Sequence, residues 1–243
     1  MTNWDETWPL ATAGERLELP FGLGLVRGGR PETHLWRTEP PLASRLVRLP
    51  GGYLRIVPTL PDEPLVVRFD ARLDLAPGTG RAAVFAGLPV NLRVEHMALG
   101  ERVAGVPVLE HVVPGLRRRL VVGQVDAPQM ARCVDVTLHP SPDAVPVGLA
   151  VLPLRIRLPE EGLRSLDRVM LPRGGVSLWA GGTHLHASVV EVDPAEDDAA
   201  EVRILAEVPR PDVSLRFGPS PDTGSFSLRS FVRALTGRGM GSD

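Results

Sequence analysis

The sequence contains no lysine, so arginine supplies all 27 of its permanently basic side chains. Schiff-base catalysis and the phosphate-binding P-loop both require a lysine, and both are therefore excluded. The arginines are offset by 29 acidic residues, which leaves a formal net charge of −2. A charge this close to zero provides no overall field that would attract nucleic acid or an anionic membrane surface. We expect no nucleic-acid partner.

Cysteine is almost absent, since Cys133 is the single example. One cysteine cannot build an internal disulfide framework or a zinc site made of several thiolates. Cys133 lies next to the alternating residues of a predicted strand, so we expect it to be a small, buried apolar residue.

Long apolar runs are missing as well, because no stretch approaches the roughly 20 residues that a membrane-spanning helix needs. The first ten residues, MTNWDETWPL, are acidic and have neither the basic start nor the apolar core of a signal peptide. We therefore expect a soluble cytoplasmic protein without a transmembrane segment.

Glycine and proline are abundant, with 25 of each, and they are spread along the chain between short apolar runs. Turns separate the strands of an all-β protein in this way. The composition therefore favours an all-β fold, and the alternation of apolar and polar residues argues against the alternative, a disordered chain.

The stretch Leu65–Leu75, LVVRFDARLDL, carries the clearest pattern in the chain. Its odd positions are all apolar, and its even positions after Val66 are Arg68, Asp70, Arg72 and Asp74. This period-two alternation predicts a long strand with one face in a core and the other in water. A shift of one residue would expose the whole apolar face, so the pattern also restricts the register. We expect the central strand of an antiparallel sheet.

Turn residues predict hairpins on either side of this strand. Pro50-Gly51-Gly52 separates Arg45–Leu49 from Tyr53–Val57, and Pro77-Gly78-Thr79-Gly80 separates the central strand from Ala82–Phe85. We expect each of these pairs of strands to form an antiparallel ladder.

We predict an all-β fold, with antiparallel sheets arranged as one or two β-sandwiches and a short C-terminal helix. The helix is predicted at Ser225–Leu235, where apolar residues recur at helical spacing. The segment His139–Pro146 is rich in proline and typical of a linker. It predicts an N-terminal β domain at residues 1–143 and a C-terminal β unit with the terminal helix at residues 144–243. A single integrated β domain is the alternative.

His184 and His186 form the sharpest candidate metal site. Residues two apart on a strand share a face about 7 Å apart, so the pair is able to chelate one metal ion, as in the cupins. Glu191 follows at a cupin-like distance. It is an odd number of residues from both His184 and His186, so it has the opposite parity and points to the other face of the strand unless a bulge intervenes. The second cupin motif has no counterpart downstream. A divalent metal held by this pair, in a metal-dependent cupin-like enzyme, is the alternative functional hypothesis.

Arg117, Arg118 and Arg119 form the densest basic run. Arginine binds phosphate and carboxylate groups bidentately, so the run is a candidate anion-binding site. The competing interpretation is a solvated strand entry after Pro114-Gly115. No aromatic residue interleaves with the run, so it lacks the stacking platform that single-stranded nucleic acid needs.

No pattern identifies a catalytic residue. Asp70 and Asp74 alternate with arginines, as expected for cross-strand ion pairs, and Gly218-Pro219-Ser220 does not complete a nucleophile elbow. The leading hypothesis is a non-enzymatic binding or protein-interaction module without a cofactor. Docking to a protein partner, or self-association, through residues 95–115 or through the C-terminal helix stays open.

Several stretches, taken in order, resemble an uncharacterised prokaryotic family, domain of unknown function 432. They are PTLPDEPLVVRF, GLPVNLRV, RRRLVVGQVDAPQMARCVDV, LDRVMLPRGGVSLWAGG and FSLRSFVRAL. Residues 120–123 diverge, because an aromatic-rich strand is expected before Gly123 and Leu-Val-Val is found there. The resemblance implies an all-β bacterial protein and no particular function.

Overall fold

The structure is a computed structural model that describes most of the chain. The described residues are 4, 6–28, 35–39, 46–99, 105–112, 114–124, 127–172, 175–181, 184–194, 200–205, 207–209, 213 and 215–217. The helix predicted at Ser225–Leu235 lies outside them.

Strands account for most of the regular structure. Their bounds are β1 Thr7–Pro9, β2 Arg16–Leu19, β3 Leu23–Arg27, β4 Leu35–Glu39, β5 Leu46–Arg48, β6 Tyr53–Thr59, β7 Leu65–Leu75, β8 Arg81–Leu88, β9 Asn91–Met97, β10 Val106–His111, β11 Arg119–Gln124, β12 Ala127–Val136, β13 Leu138–His139, β14 Ala150–Arg157, β15 Arg164–Leu171, β16 Leu178–Gly181, β17 His184–Ala187, β18 Val190–Pro194, β19 Ala200–Ile204 and β20 Leu215–Phe217. They confirm the all-β prediction. Within the described part of the chain, no helix is long and apolar enough to cross a membrane.

The chain divides into two compact units. Unit 1 contains residues 1–59 and 91–113, and unit 2 contains residues 60–90 and 114–243. The boundary expected near residue 143 falls between β13 and β14, which both pair with β8. The division into domains at residues 143 and 144 stays a prediction.

Unit 1 contains two antiparallel sheets of four strands each, in the orders β1-β6-β9-β10 and β2-β3-β4-β5. Apolar side chains on alternate positions of these strands are buried, as period-two patterning requires. They include Leu25, Trp36, Leu54, Ile56 and Val94.

The hairpin predicted across Pro50-Gly51-Gly52 is wrong. β5 pairs with β4, whereas β6 pairs with β1 and β9 in the other sheet of unit 1. Gly51 and Gly52 have φ angles of +56° and +120°, which side-chain-bearing residues rarely adopt. The turn therefore carries the chain from one sheet to the next instead of folding it back on itself.

Unit 2 contains the sheet β11-β12-β7-β15 and a larger sheet in which β13-β8-β14-β17-β16-β20 lie side by side. In the larger sheet β18 also pairs with β14 and with β19. Antiparallel pairs are the majority, but β12 runs parallel to β7, and β17 and β18 run parallel to β14. Both sheets are therefore mixed. The sequence patterns did not predict the parallel pairs, because parallel neighbours need long connections that local patterns do not reveal.

The hairpin predicted across Pro77–Gly80 is also wrong. β7 pairs with β12 and β15, whereas β8 pairs with β13 and β14 in the larger sheet. The turn thus connects two sheets, and both strands take their partners from later in the chain.

The central strand β7 has the predicted bounds and is an inner strand of its sheet. The buried residues of the predicted face are Leu65, Val67, Phe69 and Leu75. Ala71 is exposed, and Val66 is buried on the opposite face in a cluster with Val122, Ala131, Cys133 and Met170. β7 is therefore covered on both faces at its start and faces water on its polar side further along.

We predict that Gly52→Ala destabilises unit 1 by about 3 kcal/mol. A Cβ at position 52 would lie 2.3 Å from the Met97 carbonyl oxygen, and the φ of +120° adds backbone strain. The matched control is Gly51→Ala, where φ is +56° and nothing lies within 4 Å of the added Cβ. It costs only about 1 kcal/mol. Urea unfolding measures both losses, and equal losses would contradict the close-contact explanation.

Candidate functional site

The candidate metal residues His184 and His186 lie on β17 in unit 2. Their ring centroids are 6.4 Å apart, with an edge-on arrangement of 60°. His186 is buried beside Trp179, its direct neighbour on β16. His184 is half-buried, and its Nδ1 atom has no hydrogen-bond partner among the described residues. The two rings therefore share a face, as the His-x-His spacing predicted.

Glu191 does not join the histidines. β14 pairs with β17 at Val151 and His186, and with β18 at Arg155 and Glu191. Glu191 follows His186 by five residues, whereas their partners Arg155 and Val151 on β14 are only four residues apart. A bulge therefore intervenes and places Glu191 on the histidine face. Four strand positions separate the two pairs by about 13 Å, which is too far for a shared ligand sphere. No group of three or more metal-ligating residues occurs in the described ranges.

Among the described residues, no other histidine joins the pair in a group of three candidate ligands. His96 belongs to unit 1, where it is buried with its Nε2 atom 2.7 Å from the Gly51 carbonyl oxygen. His111 lies on β10 and His139 on β13, and His34 lies outside the described residues.

The arginine run 117–119 lies at the entry to β11, and its side chains diverge. Arg119 Nη2 is 3.3 Å from Glu63 Oε1, whereas Arg118 Nη1 is 3.7 Å from Asp135 Oδ2. Arg117 is exposed. The run therefore contributes to two carboxylate contacts and does not close around a single anion.

Glu63 lies between Arg119 and Arg132, whose Nη2 atom is 3.1 Å from the same Oε1. Partial burial acts to raise the pKa of the Glu63 carboxyl. The hydrogen bond from Arg132 and the charges of both arginines outweigh it, so the net pKa is lowered. The carboxylate is held in its charged form.

Asp135 lies between Arg68 and Arg118. Arg68 Nε donates a hydrogen bond of 2.5 Å to Oδ1 of Asp135, its direct neighbour on β12. This hydrogen bond lowers the pKa of Asp135 and raises that of Arg68. We call Arg68, Arg117, Arg118, Arg119 and Arg132 the arginine cluster. Four of these arginines contact two carboxylates: Arg119 and Arg132 contact Glu63, and Arg68 and Arg118 contact Asp135. Positive charge therefore exceeds negative charge among these six residues.

Cys133 is buried, as predicted, and burial raises the pKa of its thiol. The nearby arginines oppose this shift without reversing it. The thiol therefore stays protonated near neutral pH and packs as a small apolar group instead of acting as a nucleophile.

The hairpin formed by β11 and β12 is a feature that the sequence analysis missed. β12 pairs with β7 only through residues 132–136, so its residues 127–131 extend past that strand together with β11. We call residues 119–124 and 127–131 the overhanging hairpin. Val121 and Met130 lie directly opposite each other on one face and are 63% and 48% exposed. Val122 and Ala131 on the other face are buried.

The signal for this surface is present in the sequence as the Leu120-Val121-Val122 run. A continuous apolar run indicates a strand buried on both faces. In this hairpin only one of the two faces is covered. Periodicity alone could not distinguish the two cases, because it does not reveal which side chains pack against each face.

An open cleft of about 780 Å³ lies in unit 2 between residues 77–81 and the end of β14. Arg81 and Arg157 line it and stand directly opposite each other across β8 and β14. Strand β18 balances their like charges, since Arg81 Nη1 is 2.8 Å from Glu191 Oε1 and Arg157 Nη1 is 3.2 Å from Asp193 Oδ2. The cleft therefore presents little uncompensated charge.

Unit 1 contains a buried carboxylate, Glu95, that is held by two arginines. Its Oε2 atom accepts hydrogen bonds of 3.0 and 2.7 Å from Nε and Nη2 of Arg55, and its Oε1 lies 3.1 Å from Arg93 Nε. A buried carboxylate requires such partners, because desolvation strongly disfavours an isolated charge. The three residues stabilise the sheet and form no reactive arrangement.

Replacing Glu95 by alanine is expected to destabilise unit 1 by about 2 kcal/mol, because both arginines lose their shared partner. The control is Glu18→Ala, which breaks the exposed Arg16–Glu18 pair in the same unit and costs at most about 0.5 kcal/mol. Urea midpoints compare the two variants. A loss no larger than that of the control would contradict a stabilising role for the buried pair.

The lowered pKa of Glu63 predicts a pH-dependent contribution to stability. A depressed carboxyl pKa stabilises the folded state above the unfolded value of about 4.3, and this contribution disappears as pH falls through the lower folded value. We expect Glu63→Gln to lose about 1 kcal/mol near neutral pH and nothing at strongly acid pH. Urea titrations at both pH values test this, with exposed Glu160→Gln as the control. A loss of stability in Glu63→Gln that persists at strongly acid pH would contradict a stabilising role for the charged Glu63 carboxylate.

Comparison with known proteins identifies a family but no function. No curated protein and no solved structure shows a significant match to the chain. The family described as protein of unknown function (DUF432) matches residues 30–233, which include the central strand, the arginine cluster and the overhanging hairpin. The match confirms the resemblance found in the sequence, and the chain therefore belongs to the DUF432 family.

Proposed function

We propose that the chain is a non-enzymatic protein-interaction module of the cytoplasm, and that the overhanging hairpin is its contact surface. The observation that carries this proposal is the exposed pair Val121 and Met130, which lie opposite each other on a hairpin that extends past its neighbouring strand. Exposed apolar residues on an edge hairpin favour aggregation unless a partner covers them.

The energetic gain from covering this pair is sufficient to contribute to specific binding. Completing the burial of one valine and one methionine stabilises a complex by about 2 kcal/mol. Backbone pairing along the strand edge adds directional hydrogen bonds to this apolar contact.

The hairpin is also held in place before any partner arrives. Its inner face contributes Val122 and Ala131 to the buried cluster with Val66, Cys133 and Met170. Arg132 Nη1 donates a 3.2 Å hydrogen bond to the Leu116 carbonyl oxygen at its base. Binding to such a surface loses little conformational entropy, which favours affinity.

The test is affinity capture from the native host, using the full chain as bait. We expect a stoichiometric protein partner that slows backbone hydrogen exchange in residues 119–131 when it binds. Val121→Ser and Met130→Ser should each reduce its recovery at least about fivefold. Leu163→Ser is the matched control, since Leu163 is 65% exposed in the same unit and lies away from the hairpin, and it should leave recovery unchanged.

Two results would overturn the interaction proposal. One is a partner that is recovered equally with the hairpin variants and the control. The other is catalytic turnover by the purified chain in a substrate panel, with loss of turnover on replacing a defined side chain.

A second candidate function is a metal-dependent, cupin-like enzyme that uses His184 and His186. The unpartnered, buried Nδ1 atom of His184 favours it, because a metal ion would supply the missing interaction. The pair would need at least one further ligand from water or from residues outside the described ranges. Elemental analysis of the purified protein tests whether the histidine pair holds a metal ion. Stoichiometric zinc, iron or manganese that is lost in His184→Ala supports this candidate, and its absence rejects it.

A further inference from the structure

Building on the proposed interaction function, we infer that the outer edge of β11 binds an extended, acidic segment of a partner protein. The segment would add to the sheet as a further strand next to β11. Its apolar residues would lie beside Val121, which pairs with Met130 on the exposed face, and its carboxylates would meet the arginine cluster.

The edge of β11 is open in the described part of unit 2. β11 is the terminal strand of the sheet β11-β12-β7-β15, and β12 is its ladder partner. β15 is the strand at the opposite edge of this sheet, and it contacts β18 and β19. An edge strand presents alternate N–H and C=O groups to its outer side, so it can accept a further strand.

The positive charge of the arginines at the start of β11 favours an acidic segment. Arg118 and Arg119 stand at the start of β11, and four arginines, Arg68, Arg118, Arg119 and Arg132, surround the two carboxylates Glu63 and Asp135. Arg118 and Arg119 are both about half exposed, at 52% and 55%. Arginine forks bind carboxylates with good geometry, so acidic residues are favoured opposite this end of the strand.

The polarity of the edge also specifies an order within the segment. Arginines occupy one end of β11, and the apolar Val121 and Val122 follow. A matching segment therefore has an acidic block at one end and β-branched residues at the other.

A second copy of the chain matches this edge less well. Antiparallel pairing of two β11 strands would place each arginine run opposite the uncharged Gly123-Gln124 end of the other copy. Parallel pairing would bring the two arginine runs together. Neither arrangement supplies the negative charge that the cluster lacks.

The test uses fluorescence anisotropy with a short labelled peptide of valine and threonine followed by glutamates. The comparison peptide has lysine in place of each glutamate. We expect the acidic peptide to bind with an affinity that falls as salt rises, and the lysine peptide not to bind. The double variant Arg118→Gln/Arg119→Gln should weaken binding about tenfold. Arg72→Gln, which removes an exposed arginine elsewhere in unit 2, should leave it unchanged.

Hydrogen exchange distinguishes strand addition from charge attraction alone. Binding should slow the exchange of backbone amides in residues 119–124, because their outward N–H groups gain partners. Equal binding of the two peptides, or no added protection in β11, would overturn the inference. So would sedimentation showing a dimer that Val121→Ser abolishes, since the partner would then be a second copy.

Failure of the inference is separable from failure of the proposed function. A cellular partner that depends on Val121 and Met130, together with no binding of the acidic peptide, would leave the interaction function standing and reject this ligand class. Capture that does not depend on the hairpin would reject the interaction surface itself, whatever the peptides do.

Discussion

The strand β7 imposes the constraint on which the sheet around it depends, because its side-chain alternation allows only one register. Pairing Val67 with Val134 on one side and Val169 on the other places three valines in one row across the sheet. A shift of β7 by one residue would turn Arg68 and Asp70 toward the side that Val67 and Phe69 occupy. The same register sets Arg68 opposite Asp135 on the other face.

This register links the scaffold to the candidate interaction surface. Arg68 engages Asp135, which also lies near Arg118, so the charge balance at the start of β11 depends on β7. The cluster of Val66, Cys133 and Met170 supports the inner face of the overhanging hairpin. One strand thus contributes both the apolar support of that hairpin and part of its electrostatic surroundings.

Sequence reasoning succeeded where the deciding physics is local, as in the bounds of β7 and the burial of Cys133. It failed at the turns 50–52 and 77–80, because turn residues indicate where a strand ends but not which strand it pairs with. It placed His184 and His186 on one face and noted that a bulge would bring Glu191 to that face. It had no means of finding that the bulge exists or that Arg81 and Arg203 engage Glu191.

The amino-acid sequence by itself determined the fold class, the register-restricting pattern of β7 and the lack of lysine chemistry. These follow from composition and from side-chain direction along a strand, which need no knowledge of distant partners. Only the tertiary structure decided that the Leu120-Val121-Val122 run is covered on one face and open on the other. The physical reason is that the burial of a strand face depends on which side chains pack against it. Val122 and Ala131 pack with Val66, Cys133 and Met170, whereas Val121 and Met130 on the other face stay exposed.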